Sequence, residues 1–231
     1  MIKGTHLKEQ NKRNAEMNLY SIPSMTIDST KCPTDLCFYG QHYYADKSPF
    51  NKGAHRHPYT PVYSMLMAQY RYRPVRFSEI GVAHGSSVLM WNTYFNEGTF
   101  FFFDRDQNFL DHSSQGVDRQ KNSFALMDVS VGESIRDSLK ATGGSLDILL
   151  DDSSHNTEHQ NLIIHEALPF VRGGGMIIIE DISRDEPEET YFNYLKDILH
   201  EFSFVSFIVT EHENRYSPGW NNDKLLVLIK K

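Results

Sequence analysis

The stretch "LDILLDDSSHNTEHQNLIIHEALPFVRGGGMIIIEDI", residues 146–182, decides the architecture. It opens with Leu146, Ile148, Leu149 and Leu150, an apolar run that reads as a buried strand. Residues 157–171 follow as a helix, and a glycine turn leads into a second apolar strand at 174–182. Strand, helix and strand make a βαβ unit, which demands a parallel sheet covered on both faces. Both strands end in paired acids, Asp151–Asp152 and Glu180–Asp181, and His155 lies three positions beyond Asp152.

The same alternation extends outward. Strands are expected at 75–82, 99–104 and, more weakly, 122–128, with helices at 85–95 and 131–142. Ser86 or Ser87 stands near the start of the first of these helices. A helix at 187–202 precedes two strands, 203–210 and 224–230. Their connection, "EHENRYSPGWNND", is too short and turn-rich for a helical crossover, so the last strand should run antiparallel. The expected fold is α/β: a seven-stranded, mostly parallel, Rossmann-like sheet with its last strand reversed. A helix at 59–71, with Pro61 near its first turn, opens this domain, taken as 59–231. Residues 1–58, mixed and polar, read as an N-terminal extension with short helices that caps it.

Bulk composition narrows the function. A chain of 231 residues with 39% hydrophobic and 13% aromatic residues can bury a real core. A formal charge of −7, with no dominant basic patch, argues against nucleic acid as a partner. No apolar run approaches a membrane span and the N-terminus lacks a secretory pattern, so the cytoplasm is the default location and no membrane partner is expected. Cys32 and Cys37 are too few for a disulfide framework. Their spacing with His55 and His57 matches no common zinc module.

In open α/β sheets ligands bind beyond the carboxyl ends of the strands. Here that edge is acidic at strand after strand. The loop "EIGVAHGSS" (79–87) is not a dinucleotide fingerprint, because Ala83 and Ser86 stand where further glycines would be needed. Asp104 could accept two hydrogen bonds from a ribose diol, with Asp106 the runner-up for that role or a helix cap. Asp128 could flank an adenine. Asp152, Glu180 and Asp181 would repel one another unless a cation sits among them; all-oxygen ligation favours Mg²⁺ or Mn²⁺ over zinc. The alternative is that these acids cap the following helices. His155 reads either as a general base beside that cation or as a helix cap.

The segments "YTPVYSMLMAQY", "FSEIGVAHGSSVLMW", "FFFDRD", "LDILLDDSSHNTEHQ" and "ALPFVRGGGMIIIEDI" together resemble the metal-dependent sugar O-methyltransferases that modify macrolide deoxysugars. They are also similar to rhamnosyl O-methyltransferases and to sequences labelled cephalosporin hydroxylases. The strand order is that of class I S-adenosylmethionine (SAM) methyltransferases. Glu79, Gly81 and Gly85 match motif I of such enzymes, whose backbone approaches the methionine moiety, with Ser86 just beyond. The family's fourth-strand motif D-D-G-S-H stands here as Asp151-Asp152-Ser153-Ser154-His155, serine replacing glycine. The resemblance implies Asp152, Glu180 and Asp181 as Mg²⁺ ligands, His155 and Asp152 as catalytic, and Asp151 beside the cofactor. "ADKSPFNKGAHRHPYTPVY" is similar to the family's D-K-x(n)-H-x-Y segment, in which His57 and Tyr59 lie near the SAM site.

The expected activity is therefore SAM- and Mg²⁺-dependent methylation of a sugar hydroxyl, in which the metal acidifies the hydroxyl and His155 takes its proton. A catechol or phenol acceptor, an iron-dependent hydroxylase and a non-catalytic SAM-binding protein are the alternatives. An iron oxygenase would prefer two histidines and one carboxylate, and this site offers one histidine and three carboxylates. A small-molecule or glycan acceptor is the expected partner, and a homo-oligomer is compatible with the reading.

Overall fold

The computed structural model describes residues 21–231; the earlier part of the expected extension lies outside the described residues. The strands β1 (Ser24–Asp28), β2 (Val75–Ile80), β3 (Gly98–Asp104), β4 (Asn122–Leu126), β5 (Leu146–Asp151), β6 (Val171–Ile182), β7 (Phe202–Glu211) and β8 (Lys224–Lys230) form one sheet in the order β1-β7-β8-β6-β5-β2-β3-β4. All neighbours pair in parallel except β8, which is antiparallel to both β6 and β7. The reversed last strand is as the short β7–β8 connection required.

The strand count differs from the expected seven. The additional strand, β1, comes from the stretch read as an extension, and it pairs in parallel with the edge of β7, Ser24 opposite Phe207. Its residues are largely exposed, so "SMTID" lacks the apolar signal that betrays an interior strand. Its place is set by backbone pairing rather than side-chain burial.

Helices α1 (Asp35–Tyr43), α2 (Tyr59–Leu66), α3 (Ser86–Tyr94), α4 (Gln107–Ser113), α5 (Gly132–Lys140), α6 (Thr157–Ala167) and α7 (Glu188–Leu195) are distributed over the two faces. Strand alternation divides the core. Phe101, Phe103, Leu149, Ile177 and Ile179 pack with Ile135 and Leu139 of α5 and Ile163 and Ile164 of α6. Phe100, Phe102, Ile148, Leu150 and Ile178 pack on the other face, with Val62 and Tyr63 of α2 and Val88 and Trp91 of α3. The helix expected to reach residue 171 stops at Ala167, and Leu168–Phe170 form a 3₁₀ turn. Pro169 there has no N–H to continue the ladder. The helix expected over 187–202 likewise ends at Leu195. No helix among the described residues is long and apolar enough to cross a membrane.

Candidate active site

The carboxyl ends of β2, β3, β4 and β5 open onto one cavity of about 920 Å³, within the range that holds a drug-sized ligand. Of the residues expected at the site, Gly81, Ser86, Asp104, Asp128, Asp152 and His155 line it. Tyr59, Glu79, Gly85, Asp151, Glu180 and Asp181 do not; they form the layer around and beneath it.

One end of the cavity is the β2–α3 loop. Gly81 (φ 88°), Ala83 (φ 40°) and Gly85 (φ 80°) hold left-handed conformations, and Gly85 caps α3. At Gly81 a Cβ would lie 2.1 Å from the Asp152 carbonyl oxygen, so glycine is required there by close approach as well as by φ. The Val82 and Ala83 N–H groups donate to Asp104 Oδ2 at 3.0 and 3.1 Å, and the Asp106 N–H donates to Oδ1 at 3.0 Å. Asp104 thus ties the loop to the end of β3 and still reaches the cavity. Asp106 takes the capping role: its carboxylate accepts from the Asn108 N–H at the start of α4. Asp128, at the end of β4, is exposed and accepts from the Ser130 N–H and hydroxyl, which hold its pKa below the usual carboxylate value. Beneath the loop, Glu79 is fully buried and accepts from the Ser87 hydroxyl at 2.8 Å; burial, only partly offset by Lys47, lifts its pKa to about 7.

The other end is lined by Asp152 and His155 beyond β5, and the acids of β6 lie behind them. The Asp152 N–H bonds to the Ile80 carbonyl and so pins the β5 terminus against β2. Asp151 points away, buried, with Oδ1 accepting from the Ser153 N–H and hydroxyl; burial raises its pKa to about 7. The serine that replaces the family glycine therefore serves as a partner for Asp151. On β6, a register shift against β8 between Ile179 and Ile182, with Asp181 at φ 56°, marks a bulge that re-aims the Asp181 side chain.

His155, at φ 54°, completes this end. Its Nε2 lies 3.3 Å from Asp152 Oδ1 and 3.2 Å from Asp181 Oδ2. Burial alone would lower the imidazole pKa; the Asp152 hydrogen bond and the charges of Asp181, Asp152 and Asp151 outweigh it and raise it to about 9. Ligand atoms of Asp152, His155 and Asp181 fall within 4.8 Å of one another. Among the described residues this is the group of histidine, cysteine and acidic side chains with that spacing, and neither Cys32 nor Cys37 joins one.

Glu180 is placed differently from its neighbours. It is buried, its Oε2 lies 2.6 Å from Lys47 Nζ, and the Tyr63 hydroxyl donates to its Oε1 at 2.6 Å. Lys47 also contacts Asp152 Oδ2 and lies 3.5 Å from Glu79 Oε1. The cation among Asp152 and Glu180 is thus an ammonium of the chain itself. Burial works against its charge, but the surrounding carboxylates keep its pKa well above the ordinary lysine value.

Asp181 is held by a set of partners that sequence spacing did not reveal. Asn222 Nδ2 donates to its Oδ1 at 2.9 Å. The Tyr59 hydroxyl lies 2.7 Å from the same oxygen and 2.8 Å from the Asn222 carbonyl, its one proton serving either. His57 is 3.8 Å from Asp181 and pairs through Nδ1 with Asp223 at 2.7 Å, which in turn pairs with Arg215. The exposed Trp220 ring stands perpendicular to His155, centroids 6.4 Å apart. Lys47 is the lysine of the D-K-x(n)-H-x-Y resemblance, a signal that marked its segment and gave the side chain no role. The 212–223 loop carried only turn residues as its mark.

Residues 78–182 match the family model of a methyltransferase domain. Over 138 residues the chain is 33% identical to the 8-demethyl-8-(2-methoxy-alpha-L-rhamnosyl)-tetracenomycin-C 3'-O-methyltransferase of Streptomyces olivaceus, covering 54% of this chain and 32% of that one. Over 155 residues it is 30% identical to the mycinamicin VI 2''-O-methyltransferase of Micromonospora griseorubida, covering 64% and 36%. The chain thus spans about a third of the length of these curated relatives. Among solved structures, the MycE methyltransferase of the mycinamycin pathway in complex with Mg and SAH superposes with a TM-score of 0.63 at 22% identity, over 85% of this chain and 55% of that one. The fold is that of the MycE methyltransferase, and over about half of its length the chain is similar in sequence to sugar O-methyltransferases.

Proposed function

We propose that this chain carries a SAM-dependent O-methyltransferase activity directed at a sugar hydroxyl, with a divalent metal held by acids at the ends of β5 and β6. The observation that carries the reading is a single cavity with two chemically distinct ends. A glycine loop backed by Asp104 lies at one end, and Asp152 and His155 lie at the other, with the buried Asp181 carboxylate grouped with them just behind the wall. The tetracenomycin and mycinamicin relatives, and the Mg and SAH bound to MycE, support the choice of acceptor class, metal and cofactor.

At the loop end, backbone N–H groups of the first turn of α3 and the Gly81–Ser86 loop face the methionine moiety, Asp104 receives the ribose hydroxyls and Asp128 flanks the adenine. At the acidic end the donor set suits a hard cation: Asp152 and Asp181 supply carboxylate oxygens close enough to share one ion. Glu180 stands outside this group, bound to Lys47, and would have to give up that contact to serve as a ligand. When bound, a divalent cation supplies the Lewis acidity that brings an alcohol, at about 16 in water, towards the range of an imidazole. His155 would receive the hydroxyl proton in its neutral form, which a bound cation favours by offsetting the carboxylate charges that otherwise hold its pKa at about 9; Asp152 and Asp181 fix its ring. Trp220 offers an apolar face beside His155 against which the C–H face of a sugar ring can lie. The chain's contribution to rate would be to position the acceptor hydroxyl towards the cofactor's methyl group and to surround it with the fixed charges of Asp152, Asp181 and His155.

The test is methyl transfer from labelled SAM to rhamnosides and deoxysugar glycosides, with Mg²⁺ and with EDTA. Product that disappears with EDTA is the expected result. Metal-independent transfer, or SAM binding without transfer to any sugar in the panel, would overturn the assignment.

A further inference from the structure

Lys47 and Lys224 are equally buried, but among the lysines of the described residues Lys47 is the one that faces three carboxylates. Lys47 is 1% exposed, and its ammonium contacts Asp152 and Glu180 and faces Glu79. Its backbone is equally constrained: the Tyr59 and Thr60 N–H groups, at the start of α2, donate to the Lys47 carbonyl at 3.1 and 3.0 Å. Two buried carboxylates, Glu79 and Glu180, and the half-buried Asp152 approach one point and need positive charge nearby. Asp152 is shared, with Oδ2 towards Lys47 and Oδ1 towards His155. An ion among Asp152, His155 and Asp181 would therefore sit one carboxylate away from a permanent positive charge.

We propose that Lys47 is a resident counter-ion and a positioning residue. It holds Asp152 and Glu180 together when no divalent ion is bound, and its repulsion keeps such an ion loosely held and exchangeable. The proposal rests on the metal reading above. It goes beyond that reading by assigning the affinity of the site to a residue that is not a ligand. The sign follows from Coulomb's law: removing a positive charge beside two ligands strengthens cation binding.

The experiment titrates Mn²⁺ against the wild-type protein, Lys47→Met and Lys47→Arg, reading free Mn²⁺ by electron paramagnetic resonance, and records thermal unfolding of each in EDTA and in Mn²⁺. Lys47→Met should bind Mn²⁺ about tenfold tighter or more. In EDTA its melting temperature should fall on the order of 10 °C, because buried carboxylates lose their partner, and Mn²⁺ should recover most of that loss. Lys47→Arg keeps the charge and should keep the weak affinity; a purely structural role for the lysine stem would not produce this contrast. A folded Lys47→Met protein with unchanged or weaker Mn²⁺ affinity overturns the proposal. Absence of Mn²⁺ binding in every variant overturns it together with the metal reading. Should Lys47→Met fail to fold even with Mn²⁺, the wild type labelled with ¹⁵N-lysine decides. A protected Nζ resonance in EDTA that broadens away on Mn²⁺ addition supports the counter-ion role, and one that persists unchanged at saturation overturns it.

Discussion

His155 Nε2 and Asp181 Oδ2 lie 3.2 Å apart, and both residues hold left-handed backbone conformations, at φ 54° and 56°. Non-glycine residues in this region are strained, and the strain persists only where surrounding contacts over-determine it. The loop after β5 and the bulge in β6 are bent so that these two side chains meet. Among the described residues, three further non-glycines have positive φ: Tyr44 and Ala83 line the cavity, and Ser145 lies in the turn before β5.

If His155 is the base, its removal affects transfer and not cofactor binding. His155→Ala should lower kcat by roughly 10²- to 10⁴-fold, the usual scale of general base catalysis, while SAM affinity measured by calorimetry stays unchanged. Transfer at near wild-type rate would reassign the residue to a structural role.

The pKa of His155 makes a prediction about stability. Its folded value of about 9 lies above its ordinary 6.5, so the folded state holds the proton more tightly. The stabilisation is fully present below pH 6.5 and is lost as pH rises through about 9. In EDTA, urea midpoints of the wild type should decline across that window, and His155→Asn should show a shallower decline. Histidine NMR should place the wild-type midpoint near 9 in EDTA and lower with Mg²⁺ present, because the carboxylate field is then partly neutralised.

Gly81 is irreplaceable for two reasons at once. Gly81→Ala forces a Cβ onto the Asp152 carbonyl and strains φ, so urea denaturation should show a loss of about 3 kcal/mol or more. Gly116→Ala, at φ 77° with open space around it, meets only the φ penalty and should cost about 1 kcal/mol.

Asp104 joins loop and cofactor. Asp104→Ala releases the Val82 and Ala83 N–H groups and removes the proposed ribose acceptor. SAM affinity should fall by about tenfold or more, with Mn²⁺ affinity unaffected, since Asp104 stands outside the acidic group.

Trp220 gives the acceptor side a readout of its own. Of the two tryptophans, Trp91 is buried and Trp220 is 60% exposed, so acceptor binding should change the Trp220 emission. Trp220→Ala should raise the acceptor KM severalfold and leave SAM affinity unchanged; an unaltered KM would place the acceptor elsewhere.

The interior of this protein was legible in its residues. Apolar runs such as Phe100–Phe103 and Ile177–Ile179 can only be strands covered on both faces, and the short β7–β8 connection forces a reversed last strand. Acids at the strand ends likewise placed a charged site at the edge where open α/β sheets bind ligands. Tertiary structure alone decided what lacks a local signal. β1 joined the sheet through backbone pairing, which any five exposed residues can make. Adjacent acids were divided between partners: Glu180 went to Lys47 and Tyr63, and Asp181 to His155, Tyr59 and Asn222. Successive strand residues face opposite sides unless a bulge intervenes, and a buried charge takes whichever partner the folded chain brings to it. Lys47 is remote in sequence from each of the carboxylates it contacts, so its role was set by the packing of α2 against the sheet.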